Sequence, residues 1–225
     1  MAIAINKIDI AQAAAKLTQP YSTMELAQLS DSVVRLTICQ GAVPWHKHMD
    51  VDELFLVQKG EILLESEWGD NILGVGDMAV IPKGIRHRSS SIHWSVVLQF
   101  LRKYMEDRTD GERRVLAGYE GYQVSKSNVV KEAQLIAELF SPVRIASVDD
   151  SLVAVAVYEG EGPWQKYEER DKVLLLWEGE IALEIEDLSV PVRAGELFFI
   201  PRGAEHRFVS PARSIAVLFS KKERV

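Results

Sequence analysis

The chain has 225 residues, of which 47 % are hydrophobic and 26 % charged, and its formal net charge is −7. These values are ordinary for one large or two small globular domains, and the acidic balance disfavours nucleic-acid binding, which needs a basic surface. No apolar run is long enough to cross a bilayer, the N-terminus lacks a secretory signal pattern, and the single cysteine, Cys39, excludes an intrachain disulfide, so we expect a cytoplasmic protein.

The first 101 residues predict a short helix followed by many strands. Residues 6–17 favour the helix because Asp9 can act as its N-cap, good helix formers follow, and Pro20 stops it. Alternating and β-branched residues then predict strands at 32–41, 52–60, 61–69, 71–77, 78–84 and 94–101. We expect the strands at 52–60 and 61–69 to pair with each other. Many short strands with glycine turns indicate an antiparallel barrel or jelly roll.

The second half of the chain repeats the first. Residues 102–124 carry many charges and few apolar residues, which indicates a linker. Shifted by 119 positions, the sequence aligns with itself without a gap over most of its length, so that Gly41 falls on Gly160 and His87 on His206. The repeat includes a helix, predicted over 129–140 with Asn128 as its cap. We therefore predict an N-terminal barrel at 1–101 and a C-terminal barrel at 125–225.

Four possible metal ligands lie in the first copy. His46 and His48 are two residues apart, so they share one face of a strand; Glu53 follows across a short turn, and His87 comes from a later strand. Three imidazoles and one carboxylate suit one divalent transition metal, such as iron, nickel, manganese, copper, cobalt or zinc. The alternative is a metal-free core of four polar side chains, which burial would penalise by several kcal/mol.

The spacing of these residues resembles the two motifs of the cupin superfamily. The motif residues are Gly41, His46, His48, Glu53 and Gly60, then Gly76, Pro82, Gly84 and His87; Ser91 stands where the family commonly has Asn. The segments HKHMDVDELFLVQKGEI and PKGIRH are most similar to small cupins labelled mannose-6-phosphate-isomerase-like. With the internal repeat, this resemblance implies an all-β bicupin of two tandem jelly-roll barrels, each preceded by a short helix.

The second copy keeps the turn residues but loses the ligand set. Gln165, Tyr167 and Lys172 replace the first three ligands, and only His206 remains. Gln is a poor metal ligand and Lys opposes a cation, so we predict one metal per chain, in the first barrel alone. His206 is either a hydrogen-bonded structural residue or, with Lys172, part of an anion-binding pocket, and Lys172 could equally point to solvent.

Two functional hypotheses follow. The resemblance implies either a metal-dependent enzyme acting on a small polar organic molecule, as a dioxygenase or isomerase, or a non-catalytic small-molecule-binding or regulatory bicupin with a structural metal. Under both hypotheses the partner is a small molecule, with no nucleic acid and no membrane. A monomer with paired barrels and a homodimer both fit the sequence, since exposed strand edges need covering.

Overall fold

The computed structural model describes residues 7–104, 107–109, 122–185 and 188–222, and these are mostly β-strand, as predicted. In chain order the described elements are β1 Lys7–Asp9, α1 Ile10–Ala15, β2 Thr23–Leu29, β3 Ser32–Ala42, β4 His46–His48, β5 Glu53–Lys59, β6 Ile62–Ser66, β7 Gly69–Leu73, β8 Asp77–Ile81, β9 His87–Arg102, β10 Asp107–Thr109, β11 Lys126–Asn128, α2 Val129–Gln134, β12 Val143–Val148, β13 Ser151–Glu161, β14 Gln165–Lys166, β15 Lys172–Glu178, β16 Glu180–Ile185, β17 Leu188–Arg193, β18 Glu196–Ile200 and β19 Glu205–Lys221. No helix among these described segments is long and apolar enough to span a membrane.

Two compact units make up the chain. The first spans Ala14–Asn128; the second spans Val129–Val225 together with the described part of Met1–Ala13. The sequence-based division was 1–101 and 125–225. The bounds in the structure differ because two short strands each join a sheet at its edge: β1 pairs with β18 in the second unit, and β11 pairs with β8 in the first. Within the predicted linker, β10 pairs with β4, and residues 105–106 and 110–121 lie outside the described residues.

In the first unit, the long strand β9 connects the parts of the sheet. Its early residues pair with β4 and β6, and its later residues pair with β5, while β3 runs along most of its length. The predicted pairing of the strands at 52–60 and 61–69 is wrong: β6 pairs with β7 and β9, and β5 with β8 and β9. The chain turns between them at Gly60, whose φ of 80° lies in the left-handed region that favours glycine.

The second unit pairs its strands in the corresponding way. The long strand β19 pairs with β13, β14, β15 and β16, and β16 pairs with β17. Alternate residues of β15 and β18 face an apolar cluster that includes Leu174, Phe198, Ile200 and Leu218. The strand period of two therefore turns every second side chain of these strands toward this cluster.

Both helices are shorter than the sequence predicts. Residues 7–9 form β1, so α1 begins only at Ile10, and Asp9 caps it by accepting a hydrogen bond from the Gln12 backbone N–H at 2.9 Å. The second helix ends at Gln134 rather than before Pro142. Each helix has six residues. Isolated helices this short are unstable, so we infer that tertiary packing sets their ends.

Candidate metal centre

His46, His48, Glu53 and His87 come together within the first unit. The two histidines of β4 lie beside the first residue of β9, with His46 paired directly to His87, and Glu53 is the first residue of β5. One possible ligand atom from each residue lies within 4.8 Å of the others. Strand register thus gathers four donors that the sequence separates by 41 positions, from His46 to His87.

Backbone carbonyls fix the tautomers of two histidines. The Nδ1 atom of His46 lies 2.9 Å from the Pro44 oxygen, and the Nδ1 atom of His87 lies 3.0 Å from the Ile85 oxygen. A carbonyl oxygen only accepts, so each Nδ1 carries a proton and donates it. In the neutral rings each Nε2 therefore presents a lone pair, which is the form that binds a metal.

The carboxylate of Glu53 lies between two imidazoles. Its Oε2 atom is 2.9 Å from His48 Nε2 and 3.0 Å from His87 Nε2. If His87 is neutral with its proton on Nδ1, then His87 Nε2 and Glu53 Oε2 are two hydrogen-bond acceptors that face each other. Such a contact is favourable only when a proton or a metal cation is shared there. The donor set therefore fits a cation.

A hydrogen-bonded pair holds the other oxygen of Glu53. Gln99 donates from Nε2 to Glu53 Oε1 at 2.6 Å, and Thr37 donates from Oγ1 to Gln99 Oε1 at 2.5 Å. The hydroxyl thereby fixes which end of the Gln99 amide faces the carboxylate. Sequence analysis missed this pair, although both are uncharged polar residues in apolar strands, VVRLTICQ and WSVVLQFL. The arrangement leaves Oε2 as the oxygen that faces the histidines.

The protonation states of this cluster suit cation binding. Burial lowers the pKa of His46, and the electrostatic effect of His87 adds to this. Burial raises the pKa of Glu53, but its contacts with the imidazoles of His48 and His87 outweigh burial and hold that pKa well below the usual range. Near neutral pH, His46 is thus an unprotonated imidazole and Glu53 an anion.

The four residues of the candidate centre differ in their exposure to solvent. His48, Glu53 and His87 are each less than 5 % exposed, whereas His46 is only partly buried. The Phe55 ring lies 6.0 Å from the His87 ring, in an apolar cluster. Of the four residues, His46 is therefore the one most accessible to a small molecule.

The equivalent positions of the second unit hold a different set. Gln165 pairs in register with His206, and the Tyr167 hydroxyl donates a hydrogen bond to Gln165 Oε1. Lys172 is only 7 % exposed, so its side chain does not extend into solvent, and its Nζ lies 3.0 Å from the centre of the Tyr167 ring. The Nδ1 atom of His206 donates to the Ala204 oxygen at 2.9 Å.

The second unit has apolar residues at the positions of Thr37 and Gln99, the two residues that hold Glu53 in the first unit. Ala156 stands at the position equivalent to Thr37, and Leu218 at the position equivalent to Gln99; both are buried in the apolar cluster. The substitution of Glu53 by Lys172 is therefore accompanied by loss of both polar residues that hold Glu53. The three equivalent positions thus differ together between the two units.

Each of the two tryptophans that precede the ligand positions lies against an arginine, although Trp45 is buried and Trp164 is exposed. The Arg88 guanidinium lies 5.2 Å from the Trp45 ring centre, and that of Arg207 lies 5.3 Å from the Trp164 ring centre. Each arginine also forms an ion pair with a glutamate of the adjacent strand. Since the arrangement occurs with and without the metal-ligand set, it contributes to packing rather than to chemistry.

Comparison with known proteins identifies a Cupin domain at residues 34–93 and 151–220. The uncharacterized protein YdbB of Bacillus subtilis (strain 168) is 34 % identical over 77 residues, which are 34 % of this chain and 68 % of that protein. A Cupin 2 conserved barrel domain protein from Leptotrichia buccalis has a TM-score of 0.74 at 11 % identity, over 96 % of both chains.

A second solved structure, the salicylate 1,2-dioxygenase from Pseudaminobacter salicylatoxidans, has a TM-score of 0.78 at 10 % identity, over 97 % of this chain and 84 % of that one. That enzyme is also solved as adducts with gentisate. At such low identity, the similarity to either solved structure shows the fold alone.

Proposed function

The chain belongs to the Cupin domain family, and we propose that it is a metal-dependent enzyme that acts on a small polar organic molecule, with one metal, in the first unit only. The observation that carries this proposal is the convergence of His46, His48, Glu53 and His87, whose possible ligand atoms lie within 4.8 Å of one another. Three imidazole nitrogens and one carboxylate oxygen are a ligand set for a divalent transition metal.

The four side chains would hold the metal, and their neighbours would orient them. A bound transition metal supplies Lewis-acid chemistry and, when redox-active, oxygen chemistry. The carbonyl oxygens of Pro44 and Ile85 keep the protons of His46 and His87 on Nδ1, directing each Nε2 lone pair inward. Gln99 keeps Oε1 of Glu53 engaged, which leaves Oε2 for the cation.

The charge balance of the site favours a substrate with an anionic oxygen. A divalent cation with one carboxylate and three neutral imidazoles keeps a net charge of about +1, which attracts a carboxylate or phenolate. We take dioxygenase chemistry as the leading reaction type. The fold-level similarity to salicylate 1,2-dioxygenase makes small hydroxy acids, including salicylate and gentisate, the first compounds to test.

The test is oxygen uptake by protein loaded with iron(II), followed with an oxygen electrode during addition of these acids. We expect uptake above that of free iron(II), lost in His46→Ala. His93→Ala is the matched control, because His93 is an exposed histidine of the same unit, and it should retain the activity. Equal uptake by His46→Ala and the unaltered protein would contradict the proposal.

A second candidate function is a non-catalytic small-molecule-binding or regulatory protein with a structural metal. The second unit favours it, because Gln165, Tyr167 and Lys172 have replaced three ligands while the fold is kept. The two functions differ in turnover. A compound that raises the melting temperature of the metal-loaded protein without being consumed would support the binding role, whereas consumption of that compound would support the enzyme.

A further inference from the structure

A groove of about 800 Å³ lies on the outer face of the first unit. Strand register builds its floor. Ile72 of β7 pairs with Leu63 of β6, and Ser90 of β9 pairs with both Leu63 and Ala42 of β3. Paired residues of antiparallel strands point to the same face, so these four side chains form one row across four strands. Leu63, Ile72 and the neighbouring Ile92 are exposed, so the groove is largely apolar and open to solvent.

The equivalent row of the second unit ends in a carboxylate. Its members, in the same strand order, are Pro191, Ala182, Val209 and Glu161. Glu161 stands at the position of Ala42, and its Oε2 accepts a hydrogen bond from Arg207 Nη1 at 3.0 Å. Arg207 also donates from Nε to Glu184 at 2.6 Å. This arginine therefore holds two carboxylates, one from each neighbouring strand.

Arg88 is the equivalent arginine of the first unit. It donates from Nε and Nη2 to Glu65 at 2.5 and 3.0 Å, just as Arg207 binds the adjacent strand. On the other side, Ala42 has no carboxylate to offer, which leaves Nη1 for an acceptor from outside the chain. Ala42 lines the groove, so the space that a glutamate would occupy at this position belongs to the groove itself.

Charge alone would hold an anion at Arg88 only weakly. Its side chain is 34 % exposed, and Asp70 pairs in register with Glu65, so water and a second negative charge both reduce the attraction. The apolar floor can supply the remainder, because each methylene group that leaves water adds to the affinity. A ligand of this groove therefore needs an apolar chain as well as an anionic end.

We propose that the groove binds an aliphatic monocarboxylate of medium chain length. Its carboxylate accepts hydrogen bonds from Arg88 Nη1 and the Ser90 hydroxyl, in the place that Glu161 takes in the second unit. Its chain lies over Leu63 and Ile72. The row crosses four strands about 4.8 Å apart, so it is about 14 Å long, which suits such a chain. The volume is also in the range of small-molecule sites.

The groove and the candidate metal centre lie on opposite faces of β9. His87 and Arg88 are consecutive residues of this strand, so their side chains point to opposite sides. His87 is buried and contacts Glu53, whereas Arg88 and Ser90 are only partly buried on the outer face. The inference therefore does not depend on the proposed enzyme function.

Isothermal titration calorimetry of the full chain with octanoate, butyrate and octylammonium separates the two contributions. Octanoate should bind more tightly than butyrate, which has four fewer methylene groups, by about tenfold or more. It should also bind more tightly than octylammonium, which has the opposite charge, by about tenfold or more. Octanoate affinity equal to that of either other compound, or no octanoate binding at millimolar concentrations, would overturn the proposal.

Variants locate the binding in the groove. Ala42→Glu gives the first unit the carboxylate of the second and should weaken octanoate binding about tenfold or more. Ala15→Glu adds the same charge at an exposed position of the same unit and should leave the affinity unchanged. His46→Ala should also leave it unchanged, since the groove does not involve the metal ligands.

Retained octanoate affinity in Ala42→Glu would contradict the assignment to the groove. Loss of affinity in His46→Ala would instead place the acid at the metal centre and would also contradict it. Oxygen uptake by Ala42→Glu should equal that of the unaltered protein, so this proposal and the proposed function can fail separately.

Discussion

Replacing Gln99 with leucine tests how the first unit holds its carboxylate. Leucine occupies the equivalent position of the second unit, so its shape suits this kind of strand core. The substitution removes the 2.6 Å hydrogen bond to Glu53 Oε1 and leaves the Thr37 hydroxyl without its glutamine acceptor. A hydrogen bond to a charged group contributes about 1.5–3 kcal/mol, so we expect the metal-free protein to lose stability in this range.

Metal affinity should fall as well, because Glu53 loses the group that orients it. Removal of groups that support metal ligands typically weakens metal binding by about 10–100-fold, and we expect Gln99→Leu to fall in this range. Thr37→Val should have a smaller effect, since the Gln99 amide stays but its orientation is less fixed. Both variants keep all four candidate ligands, so the change reports on orientation alone.

The assays are urea unfolding without metal and competition for cobalt(II) or zinc(II) with a chromophoric chelator. Gln134→Leu serves as the matched control, because Gln134 is exposed at the end of α2 and should affect neither measurement. A Gln99→Leu protein with metal affinity within about twofold of the unaltered protein would refute a role for Gln99 in holding Glu53.

Two further predictions concern a turn and a buried histidine. Gly60→Ala should destabilise the protein more than Gly41→Ala: both have φ above +75°, but an added Cβ at position 60 would overlap Ser95, whereas position 41 is open. In urea unfolding, both variants should lose about 1–2 kcal/mol of unfolding free energy, because alanine is disfavoured in the left-handed region, and Gly60→Ala should lose more. Equal losses of stability in the two variants would count against the clash with Ser95. Lys172→Met should raise the pKa of His206, because a nearby positive charge that opposes protonation is removed. The pKa should stay below the usual value of about 6.5, since burial is the larger cause, and an unchanged value in an NMR titration would be inconsistent with this coupling.

Local patterns in the sequence predict the strands well, and the motif spacing marks four residues that the fold brings together. The period of two places His46 and His48 on one strand, and the glycine and proline turns mark where β5, β8 and β9 begin or end. These features depend on neighbours a few residues apart, which the sequence displays directly. For the same reason, the cap formed by Asp9 could be read from residues 9–12.

Features that depend on distant pairing could not be predicted in this way. Adjacent strands 52–60 and 61–69 suggest a hairpin, but the turn at Gly60 sends β6 to pair with β7 and β9. Gln99 supports Glu53 from 46 positions away, and Thr37 acts through Gln99 from another strand. Only the assembled sheet shows that these polar residues meet, although their presence in apolar strands is a signal that they have buried partners.

The central claim is that one metal binds in the first unit, and elemental analysis of untagged protein purified without added metal tests it most directly. We predict about one equivalent of a divalent transition metal per chain, lost in His46→Ala and retained in His206→Ala. Each variant removes one imidazole, His46→Ala in the first unit and His206→Ala in the second, so they control for each other. Protein that contains no metal and takes none up on titration, or equal metal content in the two variants, would contradict the claim.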